Sequence, residues 1–370
     1  MTQTPTTSAP PSAPRPAPPA APRPTLPAAP PGAPSPGRGV RALRAVAIVS
    51  CLPYITLKLL WIAGSRVGIP DGSALLDNRI ATAVGNGLSV ALDAAVVVLA
   101  LLLTQPWGRR VPAWLLVLPM WVATGLLAPI MTGYPLQLAV TALTGSGAPP
   151  PAADEPFLHE WVFGVVYGGF IVQGLALGTL FVRYAHRRWG HLWQGPISGE
   201  AGTAGTAGTA RTARTARTAG SRPVSTGRVG SARATAVAGS LLAVLPGATH
   251  LLWACGSTAG LSADRLADRT RSFHVLEGVS TGFAVLAVTA TLMLAFRRGG
   301  RLPVKAVMAG AWVGSGALGC WGGWLLLASL MPADGPEPHS SAMVLTYAVS
   351  MTAGFLLFSS VVCVLRRRAA

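Results

Sequence analysis

Long runs of apolar residues recur along the chain near 41–63, 84–104, 111–133, 161–183, 235–256, 273–296, 303–330 and 342–365. At about 1.5 Å of rise per residue, each is long enough to cross roughly 30 Å of hydrocarbon as a helix. Backbone polar groups in lipid must be satisfied within the segment, so such runs predict helices rather than loops. The expected architecture is all-α, a polytopic bundle of about eight transmembrane helices. An even number of crossings puts both termini on the same side.

Composition strengthens this reading. Of 370 residues, 51% are hydrophobic and only 11% are charged, and the mean hydropathy is +0.49, well above that of a soluble domain. The net charge of +17 would suggest a nucleic-acid partner in a soluble protein, but the placement of the charges argues otherwise. Arg15, Arg23, Arg38, Arg41 and Arg44 precede the first run, and Arg109 and Arg110 separate the second from the third. Arg211, Arg214 and Arg217 lie between the fourth and fifth, Arg297, Arg298, Arg301 and Lys305 follow the sixth, and Arg366, Arg367 and Arg368 end the chain. If every run crosses once, all of these lie on one side. The positive-inside rule makes that side cytoplasmic and the membrane the cell membrane. Opposite loops carry Asp71, Asp77, Asp264 and Asp268. The basic residues therefore face lipid headgroups, and nucleic acid is excluded as a partner. Cys51, Cys255, Cys320 and Cys363 fall in or beside spans without CxxC spacing, so they imply no disulfide framework.

Four regions follow. Residues 1–38 are Pro, Ala, Ser, Thr and Arg, too poor in large apolar side chains to fold, and read as a disordered cytoplasmic tail. Residues 39–186 hold the first four spans. Residues 187–232 contain Ala-Gly-Thr triplets that pass into Ala-Arg-Thr triplets, a low-complexity cytoplasmic linker whose arginines suit anionic lipid headgroups. Residues 233–370 hold the last four spans.

The two sets of spans align at a nearly constant offset, which predicts an internal repeat. Leu59, Leu60, Trp61, Gly64, Ser65 and Gly68 meet Leu251, Leu252, Trp253, Gly256, Ser257 and Gly260. Gly87 and Ser89 meet Gly278 and Ser280, and Pro112, Trp121 and Gly125 meet Pro303, Trp312 and Gly316. Further on, Ala153-Asp154-x-Pro156-x-x-His159 meets Ala333-Asp334-x-Pro336-x-x-His339, and Tyr167 and Gly174 meet Tyr347 and Gly354. Copies with an even number of spans enter the membrane from the same side. They are then related by a twofold axis along the membrane normal, with a cavity expected at their interface.

Polar residues inside the spans supply the candidate chemistry. Lys58, Trp61, Ser65 and Gly68 recur at helical spacing, and the second copy repeats them as His250, Trp253, Ser257 and Gly260. Asn86, Ser89 and Asp93 share one face of the second span, while His274, Glu277 and Ser280 share one face of the sixth. These spacings put Lys58 within reach of Asn86 or Asp93, and His250 within reach of Glu277. Ionisable groups in spans mark ligand or ion paths by default. The plainer alternative is structural pairing, with Lys58 snorkelling outward. The candidate ligand-binding residues are Lys58, Asn86, Asp93, Tyr167, His250, Glu277 and Tyr347. Asp154, His159, His274, Asp334 and His339 form a weaker metal-ligating set, because coordination needs three or four converging ligands.

Gly314-Ser-Gly316-Ala-Leu-Gly319 matches a dinucleotide fingerprint in letters, but it lies in an apolar span where small residues serve close helix packing. Trp61, Trp114, Trp161 and Trp253 near span ends read mostly as interfacial anchors. No HExxH, Walker lysine loop or GxSxG elbow occurs, so soluble-type catalysis has no support, and nothing names a cofactor.

The segment His250-Leu-Leu-Trp253-Ala-Cys-Gly256 resembles the first helix of four-helix actinobacterial membrane domains of unknown function that carry a His-x-x-Trp-x-x-Gly signature. The first copy has Lys58 at the histidine position. The resemblance implies fold and topology and no activity. Parallel repeats with intramembrane ionisable groups suit a small-molecule or ion permease or efflux component. The alternative is a non-transporting membrane scaffold or sensor acting through its tail and linker.

Overall fold

The computed structural model describes residues 37–76, 79–144, 158–193, 226–267, 269–330 and 340–369. The tail, the triplet-repeat linker, and Asp77, Asp154, Asp268, Asp334 and His339 lie outside them. The described residues are helical, with no strand among them. They form α1 (Arg38–Val49), α2 (Leu52–Ile62), α3 (Arg79–Thr104), α4 (Ala113–Thr144), α5 (Glu160–Trp189), α6 (Thr226–Ala254), the short α7 (Ala263–Ala267), α8 (Arg271–Phe296), α9 (Val304–Gly316), α10 (Gly322–Ser329) and α11 (Ser341–Ala369). Eight segments are long and apolar enough to cross a membrane. The chain is a multi-pass membrane protein whose outer leucines and valines, such as Leu175, Leu241 and Val182, contact lipid.

Two spans are broken helices. Pro53 in the first turn of α2 divides the first span after Val49, because proline cannot donate the hydrogen bond that would continue α1. In the seventh span, Ala317–Trp321 forms a π turn between α9 and α10. This π turn packs against α4 and α11. There, added Cβ atoms on Gly125 and Gly354 would run into the backbones of Gly316 and Gly319. The Gly314-x-Gly316-x-x-Gly319 stretch is therefore a close-packing surface. Pro119, Pro129 and Pro135 all lie within the 32 residues of α4.

Helix ends follow one local rule in both sets of spans. Ser65 N–H donates to Leu60 O (2.9 Å) and Gly64 N–H to Trp61 O (3.1 Å), the paired bonds of a Schellman cap. Ser257 N–H donates to Leu252 O (2.9 Å) and Gly256 N–H to Trp253 O (3.1 Å). Gly64 and Gly256 sit at φ +93 and +102, a region that other residues enter only with strain. The helices thus end at Ile62 and Ala254, and Ser65, Gly68, Ser257 and Gly260 lie in turns rather than on the helical faces expected from spacing. Trp61 Nε1 donates to Val67 O (2.8 Å) and Trp253 Nε1 to Ala259 O (2.9 Å), tying each turn to its helix. Trp61 and Trp253 are buried instead of anchoring at an interface, whereas Trp114 and Trp161 are exposed. The indole N–H finds its partner in a turn carbonyl of the protein, so these two rings have no need of the headgroup region.

The helices form two groups. α6, α8, α9 and α11 pack closely on one another, and α1, α2, α3 and α5 do likewise, while α4 contacts α3 and α5 on one side and α8, α9 and the π turn on the other. The contact between α4 and α9 is reciprocal. Trp121 Nε1 donates to Ser315 Oγ (3.2 Å), and Trp312 Nε1 donates to Thr124 Oγ1 (3.3 Å). Each tryptophan bonds the hydroxyl residue three positions after the other, the pattern of a twofold contact. α5 and α6 reach into the stretch read as linker, to Trp189 and from Thr226.

Candidate ligand-binding cavity

A cavity of about 660 Å³ opens among α2, α3, α4 and α5, with Trp321 of the π turn and Trp324 of α10 also lining it. Volumes of about 300–1,000 Å³ are typical of small-molecule sites. Its origin lies in how α4 sits. α9 lies directly on α8, where a Cβ on Gly314 would come within 2.6 Å of Ala287 N and one on Gly310 within 3.1 Å of Leu286. The positions aligned with these glycines in α4 are Ala123 and Pro119, which line the cavity instead. α3 and α4 touch little, and the space between them is left open.

The polar groups of this cavity fall at two levels of α3. At the first, Lys58 Nζ donates to Asn86 Oδ1 (2.9 Å) and lies 4.6 Å from the Trp61 ring centroid and 5.0 Å from that of Tyr54. Lys58 is thereby held inside the bundle by an amide and two aromatic faces. Seven residues along the same face, Asp93 is 4% exposed and accepts one bond, from Gln173 Nε2 at 3.3 Å. Asp93 Oδ2, Gln173 Oε1 and Asn86 Nδ2 are buried without a hydrogen-bond partner. An unmet buried polar group costs about 1–3 kcal/mol, and more when charged. Neither Lys58 nor Asp93 has an ion pair among the described residues.

The second group builds its polar contact differently. His250 Nδ1–H donates to Glu277 Oε2 at 2.5 Å, a pair with side chains 10% and 16% exposed. His250 and Tyr347 line a separate cavity of about 30 Å³, room for about one water. The pair occupies the positions aligned with Lys58 and Asn86. The positions aligned with Asp93 and Gln173 are Ala284 and Ala353, both buried in an apolar cluster with Leu318 and Leu357.

Of the residues singled out in the sequence, Lys58, Asp93 and Tyr167 line the large cavity, and Asn86 holds Lys58 behind its wall. His250, Glu277 and Tyr347 belong to the second group. The two sets do not share the single inter-repeat cavity expected from the sequence, because α4 and the π turn fill the space between them. His274 Nδ1–H donates to Trp253 O (3.1 Å), and His159 sits exposed at the start of α5, its backbone N–H donating to Gly68 O (3.0 Å). Among the described residues no three His, Cys, Asp or Glu side chains gather as metal ligands.

Sequence reasoning missed Gln173, which hydrogen-bonds Asp93. Its signal was a lone amide within the apolar run Phe170-Ile-Val-Gln173. It also passed over Tyr54, Trp321 and Trp324, which line the cavity. No family model matches this chain, and neither a curated protein nor a solved structure does.

Proposed function

We propose that the protein is a small-molecule permease of the cell membrane, with its termini in the cytoplasm and its binding site in the cavity of the first four-helix group. The observation that carries this reading is the 660 Å³ cavity inside the transmembrane bundle, lined by Lys58 and Asp93. Intramembrane ionisable groups facing a cavity mark substrate or ion paths. The chain is, on this reading, two tandem parallel four-helix repeats. Support comes from the reciprocal Trp121–Ser315 and Trp312–Thr124 bonds and from the twice-built Schellman turn. Parallel repeats about an axis along the membrane normal are a common transporter plan. The resemblance of the His250-x-x-Trp253-x-x-Gly256 segment to four-helix actinobacterial membrane domains fits such a unit. In this chain the signature has structural work: His250 bonds Glu277, Trp253 spans the turn and Gly256 takes the left-handed cap.

Two-sided thiol labelling tests the proposal. Ser89 lines the cavity, so Ser89→Cys is placed in a background with the more accessible Cys255 and Cys363 replaced by Ala. A small impermeant methanethiosulfonate reagent is then applied to intact cells and to inside-out vesicles. A permease predicts labelling above background from both faces. Labelling from one face only, or from neither, would contradict transport and favour a sensor or scaffold.

A further inference from the structure

The large cavity has opposite unmet needs at its two polar levels, the Lys58 end and the Asp93 end. At the Lys58 end the unfilled groups are donors: Lys58 spends one N–H on Asn86 Oδ1, and Asn86 Nδ2 has no acceptor. At the Asp93 end they are acceptors: Asp93 Oδ2 and Gln173 Oε1 have no donor. An ammonium has only donors and an ionised carboxylate only acceptors. Lys58 and Asp93 do not satisfy each other, for Asn86 and Asp93 are seven residues apart on α3, about 10 Å along its axis. The rest of the wall is mainly aliphatic and aromatic, including Leu92, Val96 and Phe170, with hydroxyls from Tyr54, Ser89 and Tyr167. The aligned positions of the second group, His250 with Glu277 and Ala284 with Ala353, leave no such vacancies at either level.

We infer that the ligand of this cavity is an elongated zwitterionic amphiphile, with an anionic end at Lys58, an ammonium end at Asp93 and Gln173, and a mainly apolar body between them. The inference rests on the cavity being a binding site, as proposed above. Each end of such a ligand supplies what the adjacent protein groups lack, and binding gives Lys58 and Asp93 each an oppositely charged partner. A ligand with one charge meets only one of the two ends. Small turns of the Asp93 and Gln173 side chains bring their unpaired oxygens to the wall, which both residues already line.

The test is a thermal-shift series on the full-length protein with linear ω-aminocarboxylic acids of graded length, beside octanoate and octylamine. The expected response is saturable and peaks near about eight carbons, the chain that holds its two charges about 10 Å apart, with a shift of at least about 2 °C. Asp93→Asn should lose the preference for the ω-amino acid over octanoate, and Lys58→Met should lose its preference over octylamine. The wild-type length profile decides the matter even if a variant does not fold. A response independent of length, or a larger response to octylamine or octanoate alone, would overturn the zwitterion inference. The cavity reading then stands or falls separately on the labelling of Ser89→Cys.

Discussion

The two four-helix groups carry polar side chains at matched positions near the ends of their first helices, yet use them in different ways. In the second group a histidine and a glutamate face each other at 2.5 Å, and the space below is packed with Ala284, Ala353, Leu318 and Leu357. In the first, Lys58 leans on an amide and two rings, and the level of Asp93 opens into about 660 Å³. At these matched levels the second group pairs or packs its positions, while the first leaves Asp93 Oδ2 and Gln173 Oε1 unpartnered beside a cavity. Ser240 Oγ and Thr291 Oγ1 are also unpartnered in the second group, but away from the large cavity. Unmet buried polarity costs stability, and at Asp93 and Gln173 it borders a space that a ligand can fill, which is the ground of the proposed binding role.

Substitutions at aligned positions put this contrast under strain. The largest effect is expected for Glu277→Ala, which leaves His250 buried without its partner and should cost about 3–5 kcal/mol in equilibrium unfolding in mixed micelles. Equal losses for Glu277→Ala and Lys58→Met would show that both pairs serve structure alike, since Lys58→Met should cost only about 1 kcal/mol. Gly314→Leu drives a side chain into the backbone of α8, a cost of about 3 kcal/mol. Its counterpart Ala123→Leu points into open space and should change stability by less than about 1 kcal/mol while reducing the thermal response to ω-amino acids. Similar penalties at both positions would remove the packing explanation for the cavity. The smallest effects belong to the reciprocal tryptophan contacts. Ser315→Ala and Thr124→Ala should each cost about 1 kcal/mol, and a loss at only one of them would weaken the proposed twofold relation between α4 and α9.

The spans themselves were legible because hydrophobic length alone specifies a transmembrane helix, and the eight segments fall where the apolar runs lie. The pairings of Lys58 with Asn86 and of His250 with Glu277 were within reach of spacing arguments, since each joins neighbouring antiparallel spans at one depth. Periodicity failed beyond Ile62 and Ala254, where a glycine in the left-handed region ends the helix and the i, i+4 rule no longer applies. It also could not show that Lys58 and Asp93 stand apart from His250 and Glu277. That separation depends on Gly310 and Gly314 letting α9 settle on α8 while Pro119 and Ala123 hold a more open seam, a tertiary difference with little trace in hydropathy. Gln173 became visible only once α5 was placed against α3.

The most direct measurement is the unfolding free energy of the double variant Asp93→Ala/Gln173→Ala, which gives the first group the alanines of the second, taken with its thermal response to 8-aminooctanoate. If the pair exists for a ligand, the variant should be about 1–3 kcal/mol more stable than the wild type and should no longer respond to the amino acid. A less stable variant, or one that keeps the response, would contradict the account and make Asp93 and Gln173 part of the scaffold.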